Sequence, residues 1–275
     1  MATIGFSSWA FPDDPAEAAI EVAHTEGFDA LEFAFLTEGL WQGEHVPRPA
    51  HAARLGAACG DLRRSVHAPI EPMALASPDA AERRESGDLL ARSIEAAAAL
   101  AAEVVVVHLR HGREAPRPEW LRLALEPLAW CGELARDAGV VLGVENYGVG
   151  ADHADGDYAA LVAAIDELDH PAVAMTFDTG HAHVHLEGSG AVPRAAQHFG
   201  ARVAHYHVHD NLGVEDDHLA IGDGSADLVG LVPGWADGFD GMVILEIFPF
   251  RVNDVRPGLR RSRDTLRAWL RGSAT

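Results

Sequence analysis

Short apolar runs recur along this chain, and most are rich in β-branched residues, as strands buried on both faces are. They fall at Ala2–Phe6, Leu31–Phe33, Arg63–His67, Val104–His108, Val140–Glu145, Val173–Asp178, Val203–His207 and Met242–Glu246. Between them the period changes to that of helices. Asp13–Glu26 has Pro15 near its start and Gly27 past its end, Pro49–Cys59 follows, Ser77 can cap a long helix to about Ala102, and Glu119–Ala138 is helical again. Asp157–Leu168, Pro193–Phe199, Leu228–Ala236 and Asp254–Arg271 read as helix or loop. Parallel strands need such crossovers, and eight units with no linker or low-complexity boundary predict an α/β fold: one (β/α)8 TIM barrel over residues 1–275. The alternative, a doubly wound sheet, lacks support because no Gly-x-Gly-x-x-Gly turn follows the first strand.

The polar residues that interrupt these runs are not scattered. In Met175-Thr-Phe-Asp178-Thr-Gly-His181-Ala-His183 an apolar run stops at a carboxylate with imidazoles behind it. Asp178 can cap a helix or hold a cation, and the stretch alone leaves both open. His67, His108, Glu145, Asp178, His207 and Glu246 each end a predicted strand, and Glu32 lies within another. Alternation puts Ser65 with His67, Val106 with His108, Gly143 with Glu145, Thr176 with Asp178 and Ile244 with Glu246. If those faces point inward, six polar groups converge at the mouth where barrel enzymes place their chemistry. Each alone reads equally well as structural, a histidine on a carbonyl or an acid capping a helix. At six equivalent strand ends coincidence is a poor explanation. Buried carboxylates also raise one another's pKa, whereas a divalent cation keeps them ionised.

Composition narrows the chemistry. With 275 residues, 48% of them hydrophobic, the chain can bury a substantial core. All 21 basic residues are arginine against 42 acids, a net charge of −21. A lysine Schiff base is excluded, so proton transfer falls to carboxylates, imidazoles or metal-bound water. Such acidity opposes nucleic-acid binding. The absence of a membrane-length apolar segment or a basic-then-apolar start predicts a soluble protein without a cleaved signal. Cys59 and Cys131 in alanine-rich stretches suit a reduced, cytoplasmic setting. Trp9, Phe11, Phe35 and Trp41 follow the first two strands and either wall the mouth or belong to the core. Arg110 and Arg251 can hold an anion or simply face solvent, and Asn146 can orient a ligand or shape a turn. His209 shares a strand face with His207, and His205 points deeper.

Seven motifs in order carry a resemblance: Ser65-Val-His67-Ala-Pro69, Val105-Val-Val-His108, Gly143-Val-Glu145-Asn146, Phe177-Asp178-Thr-Gly-His181, His207-Val-His209-Asp210-Asn211, Asp216-Asp-His218-Leu-Ala-Ile-Gly222-Asp-Gly224 and Ile244-Leu-Glu246. In this the chain resembles the xylose isomerase-like TIM barrels, the sugar phosphate isomerase/epimerase family, which is related to endonuclease IV. The resemblance implies that Glu145, Asp178, His207 and Glu246 hold one divalent cation, Mn, Mg, Co or Zn. It implies an isomerase or epimerase acting through a metal-stabilised enediolate, with Glu145 and Glu246 as acid/base pair. The expected substrate is a small sugar, sugar phosphate or keto-polyol. His181, His67, His108, Trp9, Glu32 and His209 are the expected substrate contacts, and a homo-oligomer is the expected assembly. The alternative is an endonuclease IV-like phosphodiesterase with three zinc ions, in which His67, His108, His181, Asp216 and His218 complete the additional metal sites. A dehydratase or lyase on the same site is a further alternative. Thr179-Gly-His181-Ala-His183-Val-His185 departs from the endonuclease pattern, and lysine-free acidity weighs against DNA. Neither expectation includes a membrane.

Overall fold

The structure, a computed structural model, describes residues 2–35, 46–110, 118–147, 157–186 and 190–272; Trp41 lies outside them. Eight strands run β1 Thr3–Ser7, β2 Ala30–Ala34, β3 Arg63–His67, β4 Val104–Val107, β5 Val141–Glu145, β6 Val173–Asp178, β7 Val203–Val208 and β8 Met242–Leu245. All pair in parallel and in chain order, and β8 returns to β1, closing the barrel. The surrounding helices are α1 Ala16–Glu26, α2 Pro49–Cys59, α3 Ala80–Leu100, α4 Leu125–Ala138, α5 Tyr158–Leu168, α6 Thr179–His185, α7 Ala191–Phe199, α8 Val232–Ala236 and α9 Arg256–Leu270. No described helix is long and apolar enough to cross a membrane.

Local chemistry sets most boundaries. Gly27 and Gly139 end α1 and α4 at φ 70° and 71°, where a residue without Cβ meets no steric cost. The cap of α3 is Asp79, whose carboxylate accepts the Ala81 N–H, and not Ser77; the Ser77 hydroxyl instead accepts the Asp79 N–H just upstream. His108 and Glu246 fall one residue past β4 and β8 instead of inside them.

Period-two alternation splits the strand residues into two apolar groups. Phe33, Val105, Leu142, Phe177 and Val243 belong to the large core shared with the helices, whereas Ala30, Val104, Val106, Met242 and Ile244 form a separate buried cluster. Val106, Ile244 and Met242 share strand faces with His108, Glu246 and Ile244, so this second cluster is the plug inside the barrel. Its valine, isoleucine and methionine side chains each contribute roughly 1.5–3 kcal/mol by burial, which helps offset the cost of the polar layer above it.

Candidate metal centre

The floor of the mouth is built from the ends of four successive strands. Glu145, Asp178, His207 and Glu246 offer ligand atoms that all lie within 4.8 Å of one another, and all four are buried. His207 Nδ1 stands 3.1 Å from Glu145 Oε1 and 3.5 Å from Glu246 Oε2. Its Nε2 lies 3.1 Å from Glu32, one layer down. Glu145 also faces His67 and His108, whose Nε2 atoms stand 3.4 and 2.9 Å from its Oε2.

The ring nitrogens show a common arrangement. His67, His181 and His218 each donate Nδ1–H to a backbone carbonyl, those of Ala68, Asn146 and Glu246, at 2.8, 3.0 and 2.9 Å. A carbonyl can only accept, so in the neutral ring Nε2 carries the lone pair and turns it toward the carboxylates. A lone pair beside an anion is repulsive unless a cation sits between them. Asp178 Oδ2 is buried with no hydrogen-bond partner, the kind of orphan that a cation would satisfy. The donor set of carboxylate oxygens and imidazole nitrogens suits Mn, Mg, Co or Zn, so these residues fit a divalent cation.

With protons alone, the side chains compensate in the same direction. Burial pulls the His207 imidazolium down, but Glu246, Glu32 and Glu145 outweigh it and hold its pKa well above the usual value. Burial pushes the Glu145 carboxyl up, yet His207 and His108 bring it well below the ordinary range. At Glu246 burial wins, aided by the Glu145 charge and opposed by His207, and the carboxyl rises to about 7. The protons held here occupy the role that a cation would fill.

A second group forms the rim: His181, His209, Asp216 and His218. Asp178 Oδ1 accepts the His181 N–H at 2.6 Å and caps α6, a short helix that the sequence pattern did not predict. Capping uses one oxygen and leaves Oδ2 free of partners, so the two roles considered for Asp178 are compatible. Asp216 Oδ2 lies 3.3 Å from His181 Nε2 and 3.0 Å from His218 Nε2. His209 packs flat on His218 at 3.9 Å and reaches Asp178 Oδ1 at 3.2 Å. Gly180 leaves room for that ring, because any Cβ there would overlap it. Asp216 and His218 ride on the loop between β7 and α8, and Asp210 fastens that loop. Its two carboxylate oxygens accept the N–H groups of Asn211, Gly222, Gly224 and Ala226 at 2.9–3.1 Å. His218 sits at φ 48°, a conformation that side chains with Cβ rarely adopt and that costs on the order of 1–3 kcal/mol. The fastened loop holds it there.

Above both groups lies a cavity of about 210 Å³. Glu145, Glu246, His67 and His108 line it from the strand ends, and His181, Asp216 and His218 from the rim. Trp9 forms one wall together with Phe248 and Phe250, with ring centroids 4.8 and 5.9 Å away. Tyr147, Phe248 and Phe250 were not singled out in the sequence, although the two phenylalanines follow Glu246 at alternate positions. Two expected substrate contacts do not line it: Glu32 is buried below the floor, and His209 is buried within the rim. Phe11 and Phe35 pack into the core. Asn146 holds two strand ends together, its Nδ2 donating to the Asp178 carbonyl and its Oδ1 accepting the Asp178 N–H. Arg110 is paired with Glu71, and Arg251 with Glu215 and Asp217, so neither lines this cavity.

Residues 20–271 match the family model described as xylose isomerase-like TIM barrel. An uncharacterised protein of Methanocaldococcus jannaschii is 27% identical over 248 residues, 88% of this chain and 82% of the relative. A D-tagatose 3-epimerase-like protein of known structure superposes with a TM-score of 0.80 at 24% identity, covering 98% of each chain. The D-psicose 3-epimerase from Clostridium cellulolyticum H10, solved with D-tagatose, gives 0.81 at 17% identity, covering 98% of this chain and 99% of the other. With the closed parallel barrel and its polar mouth, this match places the chain in a known lineage: it belongs to the xylose isomerase-like TIM barrel family.

Proposed function

We propose that this protein is a divalent-metal-dependent epimerase or isomerase of a small sugar or polyol. The observation that carries this reading is that Glu145 and Glu246, both buried and both next to His207, face one small cavity. A carbon acid bound there has a carboxylate on either hand. One takes the proton from the carbon beside the carbonyl, and the other returns a proton to the opposite face; the reverse reaction exchanges the two roles. A divalent cation bound by Glu145, Asp178, His207 and Glu246 would supply Lewis-acid polarisation of the substrate oxygens. Trp9 and Phe248 give the cavity an aromatic wall that suits the apolar side of a sugar and would exclude water from the reacting carbon. The net charge of −21 and the acidic cavity favour a neutral polyol over a polyanion. The structural neighbours include an L-ribulose 3-epimerase and a D-psicose 3-epimerase, which supports the same class.

The test is proton exchange. Metal-loaded protein incubated with ketopentoses and ketohexoses in deuterated water is expected to place deuterium on carbon. No carbon-bound deuterium with any of them, together with incision of abasic DNA, would overturn the reading.

One observation favours a second reading. Of the four sets of ligand-type side chains among the described residues, one, Glu32, His205 and His207, lies below. The other three border the mouth: His67, His108 and Glu145, the floor group and the rim group, the first two sharing Glu145. That suits an endonuclease IV-like phosphodiesterase with three zinc ions. Metal content separates the two: one tightly held ion per chain supports the epimerase, and three zincs support the phosphodiesterase.

A further inference from the structure

We infer that Glu32 is a positioning residue that selects the ring nitrogen by which His207 meets the floor group. The inference rests on the reading of His207 as a metal ligand. It departs from the sequence-based expectation that Glu32 touches substrate, because Glu32 has no exposed surface and no place in the cavity wall.

Three donors hold its carboxylate in the barrel interior. Ser65 Oγ donates at 2.9 Å, His205 Nε2 at 3.0 Å and His207 Nε2 at 3.1 Å, all to the same oxygen, and His207 Nε2 also stands 3.1 Å from the other. An ionised carboxylate can only accept, so both rings must present Nε2–H to it. A neutral imidazole has one proton; with that proton on Nε2, the lone pair of His207 lies on Nδ1. Nδ1 is the atom that faces Glu145 and Glu246.

The contrast with the neighbouring rings defines the role. His67, His181 and His218 have their tautomers set by backbone carbonyls, which no substitution at the accepting residue removes. His207 depends on a side chain. Glu32 also brings a full negative charge, which makes the opposite nitrogen a stronger donor than a carbonyl partner would. Glutamine at position 32 keeps the shape but can donate as well as accept. The proton could then move to Nδ1, into the space the cation needs, and the floor group would lose a ligand without losing a ligand residue.

The experiment titrates metal-free protein with Zn2+ against a competing chelator, for wild type, Glu32→Gln and His207→Ala. Glu32→Gln is expected to weaken one zinc per chain by about 10- to 100-fold, the range for outer partners of ligating histidines. His207→Ala is expected to lose that zinc outright. If His207→Ala binds zinc like wild type, the ligand reading fails and this inference with it. If His207→Ala loses zinc while Glu32→Gln binds as wild type does, the ligand reading stands and the positioning role alone is overturned. Long-range 1H–15N spectra of zinc-loaded wild type provide a readout that does not depend on a variant folding. The His207 signals, identified by their loss in His207→Ala or by selective labelling, should show a protonated Nε2 and an unprotonated, ligated Nδ1. A proton on Nδ1 would overturn the inference.

Discussion

The floor group of Glu145, Asp178, His207 and Glu246 and the rim group of His181, His209, Asp216 and His218 share one mouth but are built differently. The floor side chains stand at or just past the ends of β5 to β8. Asp178 and His207 are direct register partners, and Glu145 pairs with Thr176 and His207 with Ile244, each two residues before the next ligand on the same strand face. Closing the barrel is enough to assemble them. The rim takes His181 from the first turn of α6, His209 from just past β7, and Asp216 and His218 from a loop. Its loop is held by the Asp210 carboxylate through four N–H groups, by the backbone bridge between Asp210 and Leu219, and by the His218 ring on the Glu246 carbonyl. Hence the floor should survive perturbations that dismantle the rim, and chemistry that belongs to one can be separated from the other.

The largest effect should come from the floor. Glu246→Gln keeps the shape and removes a proton acceptor, so deuterium incorporation into substrate should fall by about 10²- to 10⁴-fold, the usual contribution of a positioned acid/base group. Exchange within about threefold of wild type would remove Glu246 from the acid/base pair and leave it at most a ligand.

Metal removal should rank next, with a pH dependence of definite sign. Burial lifts Glu246 to about 7, and carboxylates hold His207 and His181 well above the usual histidine value. In each case the folded, metal-free protein binds a proton that the unfolded chain releases at lower pH. That stability is present at low pH and is lost as pH rises through the raised values. Cations compete with those protons and bind more tightly as pH rises. The gap in Tm between metal-loaded and chelator-treated protein should therefore be wider near pH 8 than near pH 6; the stabilisation behind it is about 4 kcal/mol at a thousandfold excess of metal over Kd. A gap that narrows with pH would mean that these protons and the cation do not share the site.

The same division explains what the sequence disclosed. Alternation along Val173–Asp178 and Val203–Val208 was enough to turn Asp178 and His207 inward, and the parallel register did the rest. Glu32 showed the right strand and face but not its depth: a carboxylate on an apolar strand looks the same whether it meets substrate or a buried histidine. Depth depends on how far each strand is staggered around the barrel, which no single strand encodes. The rim was legible only through resemblance, because the path from Asp210 to Ala226 is set by hydrogen bonds to one carboxylate and not by any period. Phe248 and Phe250 were missed for the opposite reason. They lie beyond the last strand, where alternation carries no assurance, yet both turn toward the cavity.

Asp210→Ala tests the rim alone. Four loop N–H groups lose their acceptor, at a cost on the order of 3 kcal/mol after water reaches some of them. The single ion of the floor and the proton exchange should persist, and under the three-zinc reading the ion held by the rim should be lost. Loss of the floor ion in Asp210→Ala would show that floor and rim are one cooperative unit, contrary to their separate construction.

The smallest effect should come from the wall. Phe250 is 55% exposed and meets Trp9 edge-on at 5.9 Å and His218 at 5.6 Å. Phe250→Ala removes aromatic contact worth about 0.5–1.5 kcal/mol beyond simple burial, so the effect on kcat/KM should be about 2- to 10-fold. Phe250 touches neither carboxylate of the acid/base pair, so that loss should appear in KM with kcat unchanged, the pattern of a contact made equally to ground state and transition state. If kcat falls instead with KM constant, the wall excludes water or orients the carbon during proton transfer. The rim would then extend its influence to the floor through the Trp9, Phe248 and His218 rings.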